Sequence, residues 1–107
     1  MNFNEYQELA RKTAKYPPDL WSYPFMGLCG ESGEAIEKVK KIYRDANGER
    51  TPENEEAIAK ELGDVLWYLA SCAYEIGYDL SEIAAMNLAK LSDRRDRNVI
   101  SGSGDER

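Results

Sequence analysis

The chain has 107 residues and carries 20 acidic against 14 basic side chains, for a net charge of −6, with no histidine at all. One domain is the expected count at this length, with a real but small core. The missing histidine excludes a Ser-His or Cys-His nucleophile pair and any His-ligated zinc, iron or copper site. A metal here would have to be a hard cation such as Mg²⁺, with Mn²⁺ as substitute, held by carboxylate oxygens.

The acidic balance argues against general duplex-DNA binding, which clustered Lys and Arg drive, so no nucleic-acid partner is expected. Cys29 and Cys72 form no CxxC and are too few for a disulfide-framed secreted domain. The start MNFNEYQELARK lacks an apolar signal core, and no stretch approaches the ~20 apolar residues of a membrane span. The expectation is a reduced, cytoplasmic protein with no membrane partner.

Four helical segments are predicted and almost no strand. The first runs from about Phe3 to Lys15, with Asn2 and Glu5 resembling a capping box and Pro17-Pro18 as its stop. An aromatic connector follows, in which Trp21, Tyr23 and Phe25 could stack on a base or simply staple the next helix entry. The second helix is predicted from about Phe25 to Arg44, with Leu28, Ser32, Ala35, Ile36, Val39, Ile42 and Tyr43 on one face. Asp45 to Asn54 reads as a loop, with Thr51 as N-cap and Pro52 as first residue of the third helix.

The third helix is predicted to reach Ile76 before Gly77, with a core stripe of Ile58, Leu62, Val65, Leu66, Leu69 and Ala73. Trp67 and Tyr74 fall off that stripe and are expected at an oligomer interface, the alternative being a fourth-helix contact. Asp79 and Glu82 can cap a fourth helix continuing to about Arg95, with Leu80, Ile83, Ala84, Ala85, Leu88 and Leu91 as its apolar positions. Residues 1–97 are expected to form one helical domain. Residues 98–107 form a Gly/Ser-containing tail that either closes over the active site or stays disordered.

The chemistry lies in two acid pairs. Glu31 and Glu34 are i, i+3 neighbours at one border of the second helix's apolar stripe, with Lys38 and Lys41 further along the same strip. Glu61 and Asp64 repeat that plan on the third helix. If the helices pack antiparallel, the pairs face each other as a four-carboxylate cage. Such a cage repels itself unless a cation neutralises it, and an oxygen-rich shell suits Mg²⁺ together with phosphate oxygens. The alternative is an ordinary solvated face. Gly27, Gly30 and Gly33 lie on the side of the second helix away from the core. Gly30 and Gly33 are read as permitting close approach of a substrate or a second chain, and Gly27 equally as that or as a loop residue before the helix.

At this point the residues resemble a family. Gly27-Leu28-Cys29-Gly30-Glu31-Ser32-Gly33-Glu34, then Lys38 and Lys41, then Glu61-Leu62-Gly63-Asp64-Val65-Leu66-Trp67-Tyr68, are similar to the MazG-type all-α nucleoside triphosphate pyrophosphohydrolases, marked by an ExxE, a spacer and an ExxD. Asn87-Leu88-Ala89-Lys90-Leu91-Ser92-Asp93-Arg94 and the tail Val99 to Asp105 continue the likeness. The resemblance implies a four-helix MazG-like bundle that assembles as a dimer or dimer of dimers, often with sites completed by a neighbouring chain. It implies hydrolysis of a (d)NTP to the monophosphate and pyrophosphate, in cleaning the nucleotide pool. Glu31, Glu34, Glu61 and Asp64 would be the Mg²⁺ ligands, and Lys38 and Lys41 would meet the triphosphate. Asn87, Lys90 and Arg94 would bind phosphate or sugar; Trp21 is a candidate base contact from the aromatic connector alone, not from the resemblance. Some members carry an extra acid just before the first motif glutamate as base. Here that position is Gly30, which leaves Glu34 as a candidate for base as well as ligand. The competing readings are a narrower relative acting on dUTP/dCTP or phosphoribosyl-ATP, and a non-catalytic helical interaction module.

Overall fold

The computed structural model describes residues 1–107. The chain is all-α, with α1 (Phe3–Arg11), α2 (Tyr23–Ala46), α3 (Pro52–Glu75) and α4 (Leu80–Asp96). Local chemistry sets most boundaries. Thr51 Oγ1 accepts from the Asn54 N–H at 3.2 Å and Asn54 Oδ1 from the Thr51 N–H at 2.8 Å, a reciprocal cap that starts α3. Asn47 (φ 53°) and Gly48 (φ 78°) adopt left-handed backbone, and the Gly48 N–H returns to the Ile42 carbonyl at 3.1 Å, closing α2. Three ends differ from expectation, one being the end of α2, which runs on to Ala46 rather than Arg44. Within α1, helical bonding stops at Arg11 rather than Lys15, and the Thr13 hydroxyl bonds the Ala10 carbonyl at 2.8 Å. In α2 the helix opens at Tyr23, with Pro24 in the first turn, so all three of Gly27, Gly30 and Gly33 are helical and none is a loop residue.

The two long helices form an antiparallel hairpin: Gly27 lies against Tyr68, Lys38 near Glu61, and Ile42 beside Ala57. α1 and α4 pack on α3 and on each other, and neither touches α2. The core sits at that end. Ala70, Ala73 and Leu80 are buried and are enclosed by Tyr6, Leu66, Leu69 and Ile83. Buried Gln7 ties the three helices together. Its amide donates to the Ala70 and Tyr78 carbonyls at 3.2 and 3.1 Å, and its oxygen accepts from the Leu80 N–H at 3.0 Å. The connector is pinned by Tyr16, whose hydroxyl accepts from Arg11 at 2.6 Å and donates to Glu75 at 2.5 Å while its ring stacks on Tyr23.

The far half of the hairpin is bare. Ile36, Tyr43 and Leu62 are 61%, 72% and 55% exposed. The expected α2 stripe is therefore rotated. Leu28, Glu31, Ala35, Lys38, Val39 and Ile42 face α3, whereas Ile36 and Tyr43 face out. The radius of gyration is 16.8 Å, against about 13 Å for a compact domain of this length. No helix is long and apolar enough to cross a membrane.

Candidate metal centre

The rotation of α2 brings its acids inward. Glu31 and Glu34 from α2 and Glu61 from α3 present carboxylate oxygens that all lie within 4.8 Å of one another. Glu31 and Glu61 are half-buried, and Glu34 is exposed at the mouth. Asp64 stands outside this closest trio but shares with Glu31 a cavity of about 350 Å³, also lined by Thr13, Trp67 and Tyr68. One helical turn separates Glu31 from Glu34 and Glu61 from Asp64, so the antiparallel seam itself collects the acids.

The electrostatics are unbalanced. Burial, and then the carboxylates of Glu34, Asp64 and Glu61, push the Glu31 carboxyl above the usual carboxylate range. Lys38 is the nearby cation, with Nζ 4.0 Å from Glu61 Oε1. Glu31 Oε2 and Glu61 Oε2 are buried and accept no hydrogen bond. Buried carboxylate oxygens are ordinarily satisfied, so two orphans within one acidic cluster suit a cation. The donors are all carboxylate oxygen, which fits a hard divalent ion and no softer metal. The residues present would suit a hard divalent cation such as Mg²⁺ or Mn²⁺.

The other residues singled out from the sequence divide between four places. Lys38 and Lys41 share one groove along the hairpin flank with Asn54 and Asp45. Trp21 is 60% exposed and packs edge-on to Phe25, outside the acid-lined cavity. Asn87 lies in an apolar groove with Phe3, Leu66 and Leu69 on the α4 side of α3. Lys90 and Arg94 are engaged by the tail, at 3.2 and 3.4 Å from Asp105 Oδ1. No α4 residue lines the cavity of Glu31 and Asp64.

Three residues in that cavity escaped the sequence reading of the site. Trp67 Nε1–H donates to Thr13 Oγ1 at 2.8 Å, and its ring meets Tyr68 edge-on at 5.0 Å. Half-buried Trp67 is therefore tied to the segment after α1, and Tyr74 lies under the Arg11 guanidinium at 3.7 Å. These intrachain contacts are with α1 and the segment after it, not with α4, and Tyr74 is still 52% exposed. Trp67 and Tyr68 are three and four residues beyond Asp64, a spacing that does signal a shared face. Nothing local marks Thr13. Gly27 has its reason here: a Cβ would run into the Tyr68 ring, whereas Gly30 and Gly33 look onto open space.

The sequence matches the model of the MazG nucleotide pyrophosphohydrolase domain over residues 25–99. It is also 46% identical over 114 aligned positions to the Gene 37 protein of Mycobacterium phage L5, the alignment covering the whole of both chains. No solved structure matches it. The matched span takes in both acid pairs, the seam that joins them and all of α4, and the chain belongs to the MazG nucleotide pyrophosphohydrolase family.

Proposed function

We propose that the chain is a Mg²⁺-dependent nucleoside triphosphate pyrophosphohydrolase that converts a (d)NTP to (d)NMP and pyrophosphate, serving to clean the cytoplasmic nucleotide pool. The observation that carries this reading is the pair of orphaned, buried oxygens of Glu31 and Glu61 among the clustered acids of the family-matched hairpin. Glu31, Glu34, Glu61 and Asp64 hold the ion. When bound, Mg²⁺ there supplies charge neutralisation and acidifies water.

The chain's own residues do the rest. Exposed Glu34, at the mouth of the cluster, takes the proton from the water that attacks the α-phosphorus. The bond to the bridging oxygen breaks and pyrophosphate leaves. Lys38 and Lys41, along one groove, offer ammonium donors to the phosphate chain. Trp21, beside Phe25, gives the base an exposed stacking surface. Because α4 does not touch α2, Asn87, Lys90 and Arg94 reach the nucleotide from a neighbouring copy.

That assembly, a homodimer or homotetramer, has a physical motive. The chain exposes 7832 Å², against about 6,000 Å² for a compact monomer of its mass. Ile36, Tyr43 and Leu62 form the bare apolar surface that a second copy covers.

The test is pyrophosphate release from a panel of dNTPs with and without Mg²⁺. Glu34→Gln and Asp64→Asn are each expected to lose about 100-fold or more in kcat/KM while the helical circular dichroism is retained. Full activity in either variant, or no turnover of any dNTP by clean oligomeric protein, contradicts the reading.

A further inference from the structure

The tail after α4 is held almost entirely by cationic side chains. The Val99 N–H bonds the Arg94 carbonyl at 2.8 Å, and beyond it no backbone ladder forms. Arg97 donates to the Arg107 carbonyl at 2.6 Å, and Arg107 reaches back to the carbonyls of Val99, Ile100 and Gly104. Gly102 and Gly104 have positive φ, 123° and 86°, which lets this short segment turn back on itself.

The tail places one anion. Asp105 Oδ1 accepts from Lys90 Nζ at 3.2 Å and from Arg94 Nη2 at 3.4 Å, and its backbone carbonyl accepts from the same Arg94 nitrogen at 2.6 Å. The exposures of the partners are opposite. The Arg94 side chain is 5% exposed, whereas that of Asp105 is 84% exposed. Every hydrogen bond of the buried guanidinium thus goes to a residue that sits in solvent at the end of a loosely tied strap. Lys90, and then Arg94, hold the Asp105 carboxyl below the usual carboxylate range, so it is ionised and competes as a charge.

We propose that Asp105 is an internal competitor for a phosphate-binding site made by Lys90 and Arg94. In the free protein its carboxylate occupies the two cations, and a polyphosphate displaces it and frees the tail. This rests on the reading of Lys90 and Arg94 as phosphate contacts. Two properties make the exchange feasible. A solvent-exposed carboxylate gains little from such pairing, and a triphosphate brings more charge to the same two donors. An arginine of fixed planar geometry and a lysine on one helix suit adjacent phosphoryl oxygens.

The experiment measures binding of inorganic tripolyphosphate to the full chain by calorimetry without divalent ions, with dNTP turnover assayed in parallel. Asp105→Asn is expected to tighten tripolyphosphate about three- to tenfold at low salt, with the gain shrinking at high salt. Asp93→Asn, which removes the same charge from the Arg97 pair on the same helix, is expected to leave affinity within about twofold. Tripolyphosphate should also speed tryptic cleavage after Arg97 in the parent protein and change it little in Asp105→Asn. Unchanged or weaker binding by Asp105→Asn, with dNTP turnover intact, overturns the competitor and leaves the pyrophosphohydrolase reading standing. If tripolyphosphate binds neither protein while dNTPs are still hydrolysed, Lys90 and Arg94 are not a phosphate site and the proposal also fails. Loss of turnover in all proteins, with tripolyphosphate binding as expected, counts against the enzyme reading alone.

Discussion

The two ends of the hairpin are built on opposite terms. At the α1–α3–α4 end, small side chains close the core around Ala70 and Ala73, and Gln7 meets three backbone groups with good geometry. Along the α2–α3 seam, carboxylates face one another, two of their oxygens have no partner, and Ile36, Tyr43 and Leu62 lie open. The first end has a closed core, although the buried Ser71 hydroxyl in it also lacks a partner and Phe3, Met86 and Leu88 lie open on its outer faces. On the proposed reading, a cation balances the second end and a further copy covers it. Stability and chemistry are thereby separated along one pair of helices, since a satisfied seam would leave no place for an ion.

The sharpest way to break that contrast is at the end with the closed core. Gln7→Ala strands the Leu80 N–H and the Tyr78 carbonyl and removes a second bond to the helix-paired Ala70 carbonyl, and is expected to cost about 2–4 kcal/mol in chemical denaturation. A loss under about 0.5 kcal/mol would mean that Gln7 does not tie these helices. At the other end the three glycines of α2 form a graded series. Gly27→Ala drives a methyl into Tyr68 and is expected to cost about 1–3 kcal/mol. Gly30→Ala and Gly33→Ala meet open space, so each is expected to raise thermal stability by roughly 0.5–1 kcal/mol. Destabilisation by the last two would show that a second chain lies against that face.

The seam also sets a pH dependence of definite sign. Glu31 titrates above the usual range in the folded, metal-free chain, so the folded state prefers it protonated. Its contribution to stability is full below the ordinary carboxylate pKa, about 4.3, and is lost as pH rises through its raised value. Glu31→Gln is therefore expected to melt a few degrees higher than the parent at neutral pH without metal, with the gap closing on mild acidification. A gap that widens on acidification would reverse the assignment. Divalent-ion protection should run the opposite way, weakening as pH falls, because the ion needs the ionised carboxylates.

Much of this was legible in the sequence where the cause is local. The Thr51-Pro52 start of α3 and the two acid pairs depend on neighbours within a turn, whereas α2, stopped by Asn47-Gly48, ends two residues beyond the expected Arg44. The phase of α2 was not. Apolar periodicity places Ile36 and Tyr43 inside on the premise that apolar means buried, yet α2 has a single partner helix in the chain and its inward positions include Glu31 and Lys38. The Thr13–Trp67 contact was equally hidden, because it depends on the path of the connector past Pro17-Pro18 rather than on any spacing. Asp105 was read as part of a glycine-rich tail, and only the folded chain sets it against Lys90 and Arg94.

The most direct measurement of the central claim is Mn²⁺ uptake by the metal-free protein, followed by electron paramagnetic resonance in the presence of a non-hydrolysable dNTP. The parent chain is expected to quench the free Mn²⁺ signal stoichiometrically, and Glu61→Gln to weaken that uptake about tenfold or more. Equal uptake by the two proteins, or none by the parent, would contradict a metal centre at the α2–α3 seam.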